Sequence, residues 1–324
     1  MCRKEEVAQQ IQVAGEEVPN IIRSIAFSPD GKYFAAGGDD KEVYIYDVET
    51  WKLLGTFKSQ KKLSCVLFTP DSSHVLAANK YGDILVAPVP TGDVPLHGSM
   101  DIIMGHFCSI IMSMSISKVG SYMLATTDRD GKVRITALPE NIAEGAHNIV
   151  SFCLGHEKFV SSCSFLIDRK SKSEYIVTGG GDGLVKLWNP QTGEELDSVN
   201  VTLPVLDMVT RTEEDVVFLV LDGSAKIVTI SVNERKLQIL MHETDIPLIT
   251  GVDVSDDALV WMVGGPIGKP TGMRIACMRW SVDSMESIEF GGKLREMQQC
   301  SEDDSPLNQS HLPEYMEKKG RIFT

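Results

Sequence analysis

Short runs in which apolar and polar residues alternate recur along this chain, each closed by Pro-Asp, Asp-Gly or a similar turn pair. Alternation with period two is the pattern of a strand with one face buried. Ser24-Ile25-Ala26-Phe27 leads into a turn at Ser28-Pro29-Asp30-Gly31. Tyr33 to Gly37, Val43 to Asp47 and Leu53 to Phe57 then complete a unit of four predicted strands from about Asn20 to Lys58. A second unit follows: Ser64 to Thr69, the Pro70-Asp71 turn, Val75 to Ala78, and Tyr81 to Val86. A third covers about Gly105 to Pro139 and a fourth about Gly155 to Val201. A fifth lies around Val217 to Ile230, and a sixth runs from Ile249 through Val260–Val263 to Cys277. Equivalent turns fall at positions 40, 81, 130, 182 and 222.

The third and fourth units share one wording. Thr126-Thr127-Asp128-Arg129-Asp130-Gly131-Lys132-Val133-Arg134-Ile135-Thr136 matches Thr178-Gly179-Gly180-Gly181-Asp182-Gly183-Leu184-Val185-Lys186-Leu187-Trp188. In both, Thr precedes Asp-Gly by four residues, and an alternating strand follows. Glycine after Asp supplies the positive φ that a tight hairpin needs. Four short strands repeated at this spacing predict the blades of an all-β propeller rather than a β-sandwich, which would not keep a fixed order inside each unit. The expected organisation is an N-terminal segment over 1–20, with Gln10-Ile11-Gln12-Val13 as a possible closing strand, a propeller over 21–290, and a polar tail over 291–324.

Gly155-His156, Thr178, Asp182 and Trp188-Asn189 resemble the WD repeat, in which Gly-His and Trp-Asp pairs bracket each unit. The resemblance implies a seven-bladed ring and a buried hydrogen-bonded chain of His, Ser/Thr, Asp and Trp. Such a chain is physically required if these polar groups are buried together. It assigns His156, Thr178, Asp182 and Trp188 to the fourth blade, and His106, Thr126 and Asp130 to the third, where Thr136 stands in place of Trp. Tyr46-Asp47 is a softened version of the closing pair.

Composition narrows the function. Arg plus Lys total 31 against 45 Asp plus Glu, a net charge of −14, so the chain is not expected to be the main surface that grips nucleic acid. Seven cysteines without a Cys-x-x-Cys pattern read as free, mostly buried thiols. No apolar run reaches membrane-spanning length, and the polar start is not a secretory signal. There is no Walker loop, no Gly-x-Ser-x-Gly elbow and no His-Glu-x-x-His, so no catalytic site and no cofactor is expected. Asp128, Arg129, Lys132 and Arg134 gather four charges beside one turn, and Lys132 and Arg134 share a strand face. They are either an intrablade charge cluster or a binding edge.

The longer wording carries a resemblance that favours the binding edge. Asp128-Arg129-Asp130-Gly131-Lys132-Val133-Arg134, followed by Ser151-Phe152-Cys153-Leu154-Gly155-His156-Glu157-Lys158-Phe159-Val160-Ser161, resembles the WD-repeat non-catalytic subunit of the eukaryotic tRNA (guanine-N7) methyltransferase. Asn79-Lys80-Tyr81-Gly82-Asp83 fits it too, and the match covers about residues 20–200. The resemblance implies a nuclear scaffold in a heterodimer whose partner holds S-adenosylmethionine and methylates a guanine in the tRNA variable loop. It implies that tRNA is met mainly through the complex, and that Asp128, Arg129, Lys132 and Arg134 face the partner, with Arg134 in a direct ion pair. The competing adaptor reading, a ubiquitin-ligase substrate receptor, expects Trp-Asp-x-Arg. The chain has Trp188-Asn189-Pro190-Gln191 and Tyr46-Asp47-Val48-Glu49 instead.

Overall fold

The structure is a computed structural model that describes residues 21–92, 94–117, 122–168, 171–211, 216–255, 259–265, 274–281 and 284–287. The predicted closing strand at Gln10–Val13 and the polar tail from 291 lie outside the described residues. The described strands form six sheets. The first comprises β1 (Ile22–Phe27), β2 (Tyr33–Gly38), β3 (Glu42–Asp47) and β4 (Leu53–Lys58). The second is β5 (Leu63–Phe68), β6 (His74–Asn79), β7 (Asp83–Pro88) and β9 (Asp101–Gly105), and β8 (Leu96–Ser99) joins the first sheet as a fifth strand parallel to β4. The third holds β10 (Ile111–Ile116), β11 (Met123–Asp128), β12 (Lys132–Ala137) and β13 (Ile149–Leu154). The fourth holds β14 (Val160–Ile167), β15 (Glu174–Gly180), β16 (Leu184–Trp188) and β17 (Glu195–Asn200). The fifth runs from β18 (Val205–Arg211) through β19 (Val216–Leu221) and β20 (Lys226–Asn233) to β21 (Lys236–Glu243). The sixth is β22 (Ile249–Val254), β23 (Leu259–Gly264), β24 (Arg274–Ser281) and β25 (Ser284–Ser287).

Apart from β8, the strands of each sheet follow one another in chain order, forming the blades of a WD40 β-propeller, as the repeat predicts. The chain divides into two compact units after Ile102, within β9: the first carries blade one and β5 to β7 of blade two, and the second carries blades three to six. The second strand of blades one to five is buried on both faces, whereas in β23 of blade six buried and half-buried positions alternate. β19, Val-Val-Phe-Leu-Val-Leu, and β11, Met-Leu-Ala-Thr-Thr-Asp, are buried at every position. In the second unit, Leu166, Val177, Val185 and Leu187 of blade four pack with Met208, Val217, Leu219 and Val228 of blade five. Five cysteines are described: Cys153, Cys163 and Cys277 are buried, Cys65 is half-buried and Cys108 is exposed. The turn glycines Gly31, Gly131, Gly183 and Gly223 have φ between 71° and 82°, the left-handed conformation expected after Asp or its equivalent.

Two features were not visible in the pattern. β8 adds a fifth, parallel strand with all four residues exposed. The repeat units also sit out of phase with the blades: the outer strand of blade three is β13, which precedes the Gly155-His156 pair that marks the next repeat.

In the first unit the two blades share a charged clasp. Asp39 accepts hydrogen bonds from Arg23 Nε and Nη2 at 2.8 and 2.9 Å and from Lys62 Nζ at 3.0 Å, with Lys80 Nζ 3.5 Å away. Burial alone would raise the Asp39 carboxyl, but the Arg23 and Lys62 hydrogen bonds outweigh it and hold the group well below the usual carboxylate range. A depressed folded-state pKa adds stability above the unfolded value and loses it as pH falls through that range. Asp39→Asn is therefore expected to cost roughly 1–3 kcal/mol at pH 7 in urea unfolding, because it strands partly buried cations. The gap from the wild type should be full above about pH 5 and shrink as pH drops towards about 3. A gap that stays constant across this range would show that the clasp is not ionic.

A buried network and an unmatched arginine

Blade four carries the complete polar chain. Trp188 Nε1 donates to Thr178 Oγ1 at 2.8 Å, Thr178 Oγ1 lies 2.8 Å from His156 Nε2, and His156 Nδ1 meets Asp182 Oδ2 at 2.9 Å. The order that satisfies every atom has Thr178 donating to a neutral imidazole, which donates in turn to the carboxylate. Burial pushes the His156 pKa down despite the nearby Asp182, consistent with that neutral form. Asp182 Oδ1 also accepts the backbone N–H of Leu184 and so holds the hairpin turn.

Blade three keeps the chain with one member moved. His106 Nε2 lies 2.7 Å from Thr126 Oγ1, but its Nδ1 meets Asp128 Oδ2 at 3.0 Å, not Asp130. Asp128 is 1% exposed and its Oδ1 takes the backbone N–H groups of Asp130 and Lys132, both at 2.9 Å. Burial would raise the Asp128 pKa, yet the His106 and backbone hydrogen bonds lower it. Two sequence assignments are corrected here. Asp128 belongs to the buried network rather than to a partner-facing edge, and Asp130 is exposed and outside the network.

Strand register gives the reason. Ile111 pairs with Asp128 as Val160 pairs with Gly180, so Asp128 and Gly180 occupy the same blade position. A Cβ on Gly180 would stand 2.8 Å from Asp182 Oδ1 and 2.9 Å from His156 Nδ1. A side chain at that position thus points straight into the slot, and blade three fills it with Asp128. Matching on the Asp-Gly turn hid this substitution. Blade two offered the signal that would have found it: Asn79, paired with Leu63 at the same register, binds the N–H groups of Tyr81 and Asp83 with the same two- and four-residue offsets.

Of the other predicted site residues, Arg129 and Lys132 are exposed and Arg134 is half-buried. Arg134 Nε donates to Thr136 Oγ1 at 3.1 Å and Nη1 to the carbonyl of Gly105 at 3.0 Å. Both acceptors are neutral, and burial lowers the Arg134 pKa. Blade four shows the contrast. Lys186 pairs with Ser198 across β16 and β17 as Arg134 pairs with Phe152 across β12 and β13. Lys186 is 6% exposed and binds Glu195 Oε2 at 2.8 Å. Glu195 stands opposite Trp188, whereas in blade three Ile149 stands opposite Thr136. The cation of blade three therefore lacks the carboxylate that its counterpart in blade four possesses. Among the described residues, no carboxylate forms an ion pair with Arg134. The Glu195–Ile149 difference was not read from the sequence, because β13 was not assigned to blade three. The network itself sets a test: Asp128→Ala should lower thermal stability by about 2–4 kcal/mol, like Asp182→Ala, while Asp130→Ala should stay within about 0.5 kcal/mol of wild type. Equal losses at 128 and 130 would contradict the reassignment.

The model of the "tRNA methyltransferase TRM82 WD40 domain" family matches residues 95–259, just over half of the chain and including blades three to five, and the WD domain, G-beta repeat model matches residues 12–47. The tRNA (guanine-N(7)-)-methyltransferase non-catalytic subunit wdr4 of Xenopus laevis is 32% identical over 182 residues, covering 56% of this chain and 42% of that protein. The Dictyostelium discoideum subunit of the same name is 26% identical, covering 76% and 56%, and human WDR4 is 26% identical, covering 71% and 57%. The chain thus spans about half the length of the curated relatives it matches. Among solved structures, a chain of the mitotic checkpoint complex aligns with a TM-score of 0.64 at 17% identity over 78% of this chain and 74% of its own. The designed Ika8 protein aligns with a TM-score of 0.57 at 20% identity over 78% and 70%; these two share the fold alone. With its WD40 blades and a family match across the blades that hold the network and Arg134, the chain belongs to the tRNA methyltransferase TRM82 WD40-domain family.

Proposed function

We propose that this protein is the non-catalytic scaffold subunit of a tRNA (guanine-N7) methyltransferase heterodimer, and that blade three is where it holds the catalytic subunit. The observation that carries this reading is the unmatched Arg134. A half-buried guanidinium fixed by two neutral acceptors is oriented but not neutralised. A charge-assisted bond to an incoming carboxylate would be short and could be bidentate. The twin position in blade four, closed by Glu195, has no such capacity. The names of the relatives supply the partner, since each is a non-catalytic subunit of a tRNA (guanine-N(7)-)-methyltransferase.

In this reading the catalytic subunit carries S-adenosylmethionine and transfers the methyl group, while this chain orients it for a guanine in the tRNA variable loop. A net charge of −14 fits a scaffold that leaves most phosphate contacts to its partner. Nuclear residence goes with the same proposal. Lys132 and Arg129, exposed beside Arg134 in sequence, steer an acidic surface towards the docking edge rather than fix it.

Arg134→Glu should abolish co-purification with the methyltransferase subunit, a loss of roughly 2–5 kcal/mol or more in binding, and leave the β-rich circular dichroism spectrum unchanged. Retained binding by a folded Arg134→Glu variant would remove blade three as the docking site.

A further inference from the structure

We propose that the outer strand of blade three, β13, supplies an apolar anchor beside Arg134, so that the surface takes an acidic amphipathic segment of the methyltransferase subunit. The inference rests on the docking reading above and deepens it by naming the chemistry of the occupant. Its evidence is separate from the charge argument, because it comes from what the strand exposes.

Outer strands of blades three and four occupy the same position in their sheets, so each is a control for the other. The exposed residues of β17 are Glu195, Ser198 and Asn200, the usual polar face of an edge strand. The exposed residues of β13 are Ile149, Phe152 and Leu154, at 43%, 45% and 62%. Register aligns these one for one. Trp188 faces Glu195 where Thr136 faces Ile149, Lys186 faces Ser198 where Arg134 faces Phe152, and Leu184 faces Asn200 where Lys132 faces Leu154. Every polar exposed residue of one strand is apolar in the other.

Side chains on directly paired residues share a face. Lys132 and Leu154 therefore lie side by side, as do Arg134 and Phe152, and together they form two mixed rows of one cation and one apolar group. The opposite face of the same strands is already covered: Val133, Ile135 and Cys153 are in the core, and Ser151 Oγ donates to the carbonyl of Pro190 in blade four. The other face is the side that blade four leaves free; Arg134 on it reaches Gly105 of β9, and Phe152 and Leu154 on it are exposed.

Three large apolar groups in one exposed strip mark an interaction surface more often than scattered exposure does. The charges choose the partner. Two cations among these apolar groups, in a chain of net charge −14, repel a basic surface and a second copy of the strip alike, and match a segment with carboxylates next to apolar side chains. An aromatic at the centre of such a patch, with a cation beside it, is the composition that carries most binding energy at protein interfaces.

Binding of the full chain to the purified methyltransferase subunit, measured by isothermal titration, tests this. Phe152→Ser and Leu154→Ser should each weaken binding about 10- to 100-fold, the loss expected for one buried apolar side chain. Ser198→Ala and Asn200→Ala on β17 should bind like wild type. Both serine variants replace exposed groups, so their unfolding midpoints should be unchanged. If Phe152→Ser is destabilised, Leu154→Ser, the more exposed site, carries the comparison. Wild-type affinity in both serine variants, with Arg134→Glu still defective, would overturn the apolar anchor and leave the docking reading standing. Wild-type affinity in all three would overturn both. Loss of tRNA binding by the isolated chain, or of a self-association seen by gel filtration, in place of methyltransferase binding would assign the strip to RNA or to a second copy and overturn the proposal.

Discussion

Polar groups placed inside a blade have to satisfy one another, because the stacked sheets leave them no water. This constraint organises the chain from blade to blade. In blades one to four the slot at the end of the second strand is filled by different residues on the same register. Blade four uses Gly180 and reaches in with Asp182. Blade three reaches in directly with Asp128, and blade two uses Asn79 to hold its turn. Blade one puts Gly38 there, and the neighbouring Asp39 gathers Arg23 and Lys62. In blades three and four the histidine is fixed by Thr on one nitrogen and by a carboxylate on the other, which locks the strands to the preceding loop.

The same rule, applied one strand further out, separates a blade that neutralises its own cation from one that does not. The third strand of blade four carries Lys186, and Glu195 neutralises it within the sheet. The third strand of blade three carries Arg134 at the same register, but its outer strand offers Ile149 in place of the glutamate. Thr136 and Gly105 hold the guanidinium in place without discharging it. The carboxylate that completes blade three comes, in this account, from another protein. Exposed Phe152 and Leu154 line the approach to it.

Much of this was legible in the sequence. Periodicity and turn chemistry gave six blades, and the Gly-His, Thr, Asp and Trp of blade four gave its network, because local residues dictate both. The Asp128–Asp130 exchange was not legible from the turn alone. Side chains two residues apart can deliver a carboxylate to one histidine, and only strand register tells them apart. The fifth strand β8 was missed because parallel addition leaves no local turn signal. Arg134 was singled out by its charge, yet its meaning depends on Ile149, fifteen residues away across a loop and opposite Thr136. Sequence proximity could not show that a missing glutamate, rather than a cluster of charges, sets this edge apart from its counterpart in blade four.

Supplying the missing carboxylate within the chain tests this idea most directly. Ile149→Glu places an acid where blade four has Glu195, and Ile149→Gln gives the same shape without charge. Titration of each variant with the methyltransferase subunit should show binding abolished by Glu and only weakened by Gln, with the thermal midpoint of the Glu variant equal to or above that of Gln. Equal affinities for the two variants would contradict the claim that an unneutralised Arg134 is what blade three offers its partner.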